Sequence, residues 1–85
     1  MGVPEQKPKV KSLAKALHVL ECFTVQTPEL GVTELAEMNG ITKSNAHNIL
    51  STFQKSGYVE KLPNGKYTLG LQFLKFAYII NQHLG

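Results

Sequence analysis

Eighty-five residues with 42% hydrophobic content are enough for one small core and too few for a core plus a separate ligand-binding or catalytic domain. The net charge is +3, and nine lysines carry all of the Lys+Arg charge, because the chain contains no Arg. A single cysteine excludes an internal disulfide, and without a second Cys or a paired His at ligand spacing it excludes a zinc site.

Residues 1–11 are rich in Pro and Lys and read as a mobile basic arm. Pro4 and Pro8 in this polar stretch argue against a signal peptide. Ser12 is positioned to cap a first helix, with Leu13, Ala16, Leu17, Leu20 and Phe23 on its core face. Val19 flanks that face and Cys22 points away from it, leaving room for a second contact. The helix is predicted to stop near Thr24, before the breakers Thr27-Pro28 and Gly31. Thr33 is the next N-cap candidate, with Glu34 and Glu37 in the first turns, where negative charge complements the helix dipole. Leu35, Ala36 and Met38 supply apolar surface, Asn39-Gly40 ends the helix, and Ile41 plugs the turn.

Thr42 caps a third helix that ends at Gly57. Its apolar stripe is Ala46, Ile49, Leu50 and Phe53. At about 100° per residue the opposite face holds Ser44, Asn48, Ser51 and Lys55, with Asn45, His47 and Thr52 on the shoulders. Short hydroxyl and amide side chains suit base edges better than the Glu/Lys pairs of an ordinary surface helix. Lys43 sits in the first turn, within reach of a phosphate. Two helices joined by a Gly-containing turn, the second with this polar face, form a helix-turn-helix.

Tyr58–Leu62 and Lys66–Leu69 read as strands joined by Pro63-Asn64-Gly65, with Val59, Tyr67 and Leu69 facing the core and Lys61 and Lys66 beside the turn. Residues 71–84 form a last helix that is apolar nearly all round. Leu71, Leu74 and Tyr78 make one face, and Phe73, Phe76, Ala77, Ile80 and Leu84 the other. Two apolar faces need two partners: the domain's own core for one, and a second copy or a further domain for the other. The stretch 71–80 is too short to span a bilayer, so no membrane role is expected and a cytoplasmic location is.

Charge is segregated along the chain. Lys7, Lys9, Lys11 and Lys15 against Glu5 give +3; Glu21, Glu29, Glu34 and Glu37 give −4; Lys43, Lys55, Lys61, Lys66 and Lys75 against Glu60 give +4. A domain that meets phosphates on one side would be charged this way, and solvated lysines kept for solubility are the plainer alternative. Cys22 has no neighbouring base and reads as a structural thiol. His18 and His83 read as surface residues. Neither a nucleophile elbow nor a Gly-rich phosphate loop occurs, so no enzyme activity, cofactor or metal is expected.

The order of motifs resembles the N-terminal DNA-binding domain of the IclR family of bacterial transcriptional regulators. The likeness runs over residues 11–80 and is carried by SLAKALHVLECF, by GVTELAEMNGITKSNAHNILSTFQKSGYVEK and by GKYTLG. It implies an α+β, mostly α fold: a winged helix-turn-helix over 12–70, with three helices and a β-hairpin wing at 58–69, then a C-terminal linker helix at 71–85. It further implies a homodimer on palindromic double-stranded DNA, with the recognition helix 42–56 in the major groove. A small-molecule effector would act only through a C-terminal domain that this sequence does not contain. The DNA-binding candidates are Thr33, Thr42, Lys43, Ser44, Asn45, His47, Asn48, Ser51, Lys61 and Lys66, and the dimer-interface candidates are Val19, Cys22, Phe73, Phe76, Ala77, Ile80 and Leu84. Where the family commonly places an Arg after the recognition-helix His, this chain has Asn48. Either base preference then leans towards adenine, or Lys43 and the arm supply more of the affinity. A winged helix used for protein–protein contact through residues 71–84 is the alternative function.

Overall fold

The computed structural model describes residues 7–85. In chain order they form α1 (Lys11–Glu21), α2 (Val32–Asn39), α3 (Lys43–Lys55), β1 (Val59–Lys61), β2 (Tyr67–Leu69) and α4 (Gln72–Leu84). This is the predicted mostly helical arrangement, a three-helix helix-turn-helix with a hairpin wing and a trailing helix. The predicted arm lies mostly outside the described residues; Lys7 to Val10 are exposed and lack regular structure.

Helix α1 starts earlier than Ser12 predicts. Val10 is its N-cap without a side-chain cap, and the Val10 carbonyl already accepts from Ala14 N–H at 3.1 Å. The helix ends at Glu21 rather than Thr24 because Thr24 and Thr27 close a turn of their own, Thr27 N–H donating to Thr24 Oγ1 at 3.0 Å. Its core face also differs from the predicted one. Val19 is fully buried and Phe23 nearly so, while Leu13 stays 55% exposed and Leu17 is exposed too.

The cap of α2 is Gly31, not Thr33, which lies inside the first turn. Gly31 has no side chain to cap with, so the bond comes from the other direction: Glu34 Oε1 accepts from Gly31 N–H at 2.8 Å. Gly40 then takes φ 63°, and Ile41 N–H reaches back to the Ala36 carbonyl at 3.0 Å. That left-handed exit is what Gly40 is for, since a side chain there would crowd the backbone. Asn39 Nδ2 donates to the Leu35 carbonyl at 2.8 Å and to Cys22 Sγ at 3.4 Å, tying the end of α2 to α1.

Helix α3 is capped as predicted, with Thr42 Oγ1 accepting from Asn45 N–H at 3.0 Å. Ala46 and Leu50 on α3 are fully buried, and Leu50 joins Val19, Phe23, Leu30, Leu35, Val59 and Tyr67 in one core. Burying a leucine side chain is worth about 1.5–3 kcal/mol, so this stripe fixes which face α3 turns outward.

The wing pairs antiparallel, Val59 opposite Leu69 and Lys61 opposite Tyr67. Leu62 N–H donates to the Lys66 carbonyl at 2.8 Å, Gly65 N–H to the Leu62 carbonyl at 2.9 Å, and Gly65 has φ 86°. The Pro63-Asn64-Gly65 loop therefore forms the predicted turn. Leu30 adds a feature with no counterpart in the predicted strands. It exchanges two backbone bonds with Tyr67, at 3.0 and 2.8 Å, and buries its side chain beneath the wing. Leu69, predicted to face the core, is 43% exposed: it ends β2 beside Gly70, at the base of the wing, although its partner Val59 is buried.

Helix α4 departs furthest from expectation. Neither face packs on the domain's core, and none of its residues is buried. Its attachment is at its first turns: Gln72 N–H donates to the Gly57 carbonyl at 3.1 Å, and Tyr58 packs on Phe73 and Phe76 with ring centroids 5.4 and 6.1 Å apart.

Candidate nucleic-acid interface

The outward face of α3 is set by the burial of Ala46 and Leu50. Lys43, Ser44, Asn45, His47 and Asn48 are all exposed on it, and Ser51 is half-buried. The structure thus brings most of the predicted reading residues onto one helix surface. Their polar groups are not equally available. Thr42 Oγ1 accepts the cap bond, which uses one of its two lone pairs and leaves its O–H proton to donate. Thr52 Oγ1 is turned back onto the Asn48 carbonyl at 2.9 Å, so that shoulder hydroxyl is committed to its own helix. The side-chain amides of Asn45 and Asn48, by contrast, make no hydrogen bond among the described residues.

The first turns of α1 come up beside α3. Ser12, Leu13 and Ala16 line a shallow groove with Asn48, Ile49, Thr52 and Phe53. On a neighbouring surface Lys7, Lys11, Lys15 and His18 share one depression. In sequence Lys15 adds only to the charge of the arm, and in the structure it belongs to α1. Its i, i+4 relation to Lys11 is the sequence signal that places both on one stripe of a folded helix.

The wing supplies Lys61 and Lys66, and both are engaged. Lys61 Nζ lies 5.9 Å from the centroid of the Tyr67 ring. Lys66 Nζ lies 3.9 Å from Glu34 Oε1, with both side chains about half exposed. Asn64 Nδ2 donates to Glu29 Oε1 at 3.1 Å, while Asn64 Oδ1 accepts from Lys66 N–H at 2.9 Å. The acidic segment and the wing, distant in sequence, therefore meet in space. Thr33 is exposed in the first turn of α2, near this junction by sequence with Glu34.

Burial bears on two of the predicted interface residues. Val19 has no exposed surface and belongs to the chain's own core, so it presents nothing to a second copy. Cys22 is half-buried against that core; its Sγ donates to the His18 carbonyl at 3.2 Å and accepts from Asn39. The α4 candidates Phe76, Ala77, Ile80 and Leu84 are exposed, and Phe73 is half-buried under Tyr58. Among the described residues no cluster of three metal-ligating side chains occurs, and no helix is long and apolar enough to cross a membrane.

A helix-turn-helix with an exposed amide- and hydroxyl-bearing second helix and a hairpin wing defines a winged-helix protein of the transcription-regulator class. The IclR helix-turn-helix domain matches residues 12–63. The chain belongs to the IclR family of transcriptional regulators. It is 35% identical over 74 residues to the HTH-type transcriptional regulator XynR of Escherichia coli, covering 86% of this chain and 29% of that protein. Over 76 residues it is 30% identical to the HTH-type transcriptional regulator KipR of Bacillus subtilis, covering 89% and 30% respectively. The fold superposes on an IclR family transcriptional regulator from Brucella abortus with a TM-score of 0.78 and 32% identity, over 94% of this chain and 31% of that one. The chain thus spans about three-tenths of the length of the relatives it matches.

Proposed function

We propose that the chain is the DNA-reading part of a transcriptional regulator, binding double-stranded DNA with α3 in the major groove and residues 58–69 on the backbone or minor groove. The observation that carries this reading is α3 itself: Ala46 and Leu50 anchor one side, and the other side shows Lys43, Ser44, Asn45, His47 and Asn48 to solvent. Lys43 and the lysines of α1 and the wing hold phosphates, while the short polar side chains meet base edges. Thr33 and Thr42, at the starts of α2 and α3, add hydroxyl contacts to the backbone. Ser51 stands at the margin of the reading face.

Two copies act together on a palindromic operator, with half-sites about one helical turn, or a multiple of it, apart. The dimer surface lies on α4, where Phe76, Ala77, Ile80 and Leu84 are exposed and no residue is buried. A small-molecule effector would be sensed by a separate domain, in keeping with the share of its relatives that this chain spans. The working compartment is the cytoplasm, where bacterial DNA lies. The same bare helix supports the alternative, a protein-contact module that leaves α3 idle.

Binding to duplex DNA across a salt series separates the two. DNA binding through phosphates weakens by about 0.9 log units per contact for each tenfold rise in salt. Lys43→Ala should weaken binding to all sequences and flatten the slope by about one contact. Duplex binding that is absent, or indifferent to salt, would favour the protein-contact reading.

A further inference from the structure

We infer that Asn45 and Asn48 are the specificity-determining residues of α3 and that they read adenines on two neighbouring base pairs of each half-site. The inference rests on the DNA-binding reading above. It begins from a missing side chain: the chain has no Arg, so no guanidinium fork is available for the bidentate contact to guanine O6 and N7. A carboxamide has the complementary pattern for the other purine. Its carbonyl oxygen accepts from adenine N6–H, and its NH2 donates to adenine N7.

The structure separates the asparagines by what their amides already do. Asn39 is spent on Leu35 and Cys22, and Asn64 on Glu29 and the wing backbone. Asn45 and Asn48 are exposed and make no side-chain hydrogen bond among the described residues. The cap bond uses the backbone N–H of Asn45, and the Thr52 bond uses the backbone carbonyl of Asn48, so both contacts stiffen the helix and leave the amides untouched. Residues three apart lie on one face with an axial rise of about 4.5 Å, against roughly 3.4 Å between base pairs. The two amides therefore address adjacent steps.

The cations of α3 are placed differently. Lys43 and Lys55 stand at its two ends. Twelve residues of helix separate them by about 18 Å along the axis, so they border any stretch of α3 that meets base edges. They fall toward the phosphates on either side, and the uncharged amides stay over the bases. Lys43, Ser44, His47 and Ser51 are the other side chains of α3 that could donate to a guanine, and the test is built to expose them.

The experiment first selects bound duplexes from a randomised pool with the 85-residue chain, then replaces single purines in the selected duplex with their 7-deaza forms. 7-Deazaadenine keeps Watson–Crick pairing but removes the N7 acceptor. At two neighbouring adenines it should weaken binding by about 5- to 150-fold, while 7-deazaguanine elsewhere changes it little. Asn45→Ala and Asn48→Ala should each become insensitive to one of the two replacements. The modified duplexes also test the unaltered chain, so a poorly folded variant does not decide the outcome. A site whose binding depends on guanine N7 and not adenine N7 overturns the inference while leaving DNA binding intact. So does salt-dependent binding without any preferred sequence. Absence of duplex binding removes both readings.

Discussion

Gly70 is the tightest point of the junction between the wing and α4, and Gly70→Ala tests how that junction is held. An added Cβ would stand 2.2 Å from the Gly57 carbonyl oxygen, 2.9 Å from its carbon and 3.0 Å from the Tyr58 carbonyl carbon. All three are backbone atoms, so no side chain can swing aside. Carbon–oxygen contacts ordinarily begin near 3.3 Å, so the two segments must part by about 1 Å. Two hydrogen bonds cross the same gap, Gly70 N–H to the Tyr58 carbonyl at 2.8 Å and Gln72 N–H to the Gly57 carbonyl at 3.1 Å. Opening by about 1 Å carries both beyond useful range, at roughly 0.5–1.5 kcal/mol each, and residual crowding adds about 1–3 kcal/mol. The expected loss is about 2–6 kcal/mol, a fall in Tm of roughly 10 °C or more for a domain of this size. Gly65→Ala is the control. It has φ 86° but nothing within 4 Å of the added carbon, so it costs only the left-handed backbone, about 1 kcal/mol. Urea and thermal unfolding of both variants measure the difference. If Gly70→Ala loses no more than Gly65→Ala, close backbone approach is not what holds the junction.

Three further outcomes follow from the packing. Leu50→Ala removes a fully buried side chain from the centre of the core and should cost about 2–5 kcal/mol in denaturant unfolding; a loss under about 1 kcal/mol would mean that α3 is not anchored there. Glu34→Gln keeps an acceptor for Gly31 N–H and deletes the charge 3.9 Å from Lys66. Because that half-exposed pair contributes little to folding, stability should change by less than about 0.5 kcal/mol while affinity for duplex DNA rises about two- to fivefold at low salt. Unchanged affinity would place Glu34 and Lys66 away from the phosphates. Ile80→Glu should convert a dimer to monomers in sedimentation without unfolding the domain, since α4 contributes no buried residue; a dimer that persists would move the interface off α4.

The elements legible in the sequence are those whose signals are local. Thr42, Gly40 and the Pro63-Asn64-Gly65 turn act within three or four residues, and each performs its predicted task. Helix α1 was legible as a helix but not in its orientation. Leu13, Ala16, Leu17, Val19, Leu20, Cys22 and Phe23 spread over most of its circumference, so periodicity offers more than one core face. The choice is made by α2, α3 and the wing, which bury Val19 and Phe23 and leave Leu13 and Leu17 outside. Leu30 escaped for a related reason. One apolar residue between Pro28 and Gly31 has no period, and its bonds go to Tyr67, far along the chain.

The candidate site shows the same division, with a consequence for how the affinity is distributed. Periodicity picked out the exposed face of α3, because the helix repeat and the buried stripe settle it together. It could not show which polar groups on the wing are spent. Glu29 holds Asn64 and Glu34 sits beside Lys66, so part of the acidic middle of the chain folds against the basic wing. Segregation along the sequence is therefore weaker in space than the running charge suggests. The wing's cations are the ones most compromised: Lys66 shares its field with Glu34, and Lys61 lies against the Tyr67 ring. Lys43 has no such partner among the described residues, and neither do Lys11 and Lys15 on the stripe of α1. Phosphate attraction should then centre on the starts of α1 and α3, with the wing acting more as a brace that fixes the approach of the domain than as a source of charge. An Arg-free recognition helix would make this division sharper, because on the proposed reading affinity would come from lysines at the edges and sequence preference would be left to uncharged amides between them.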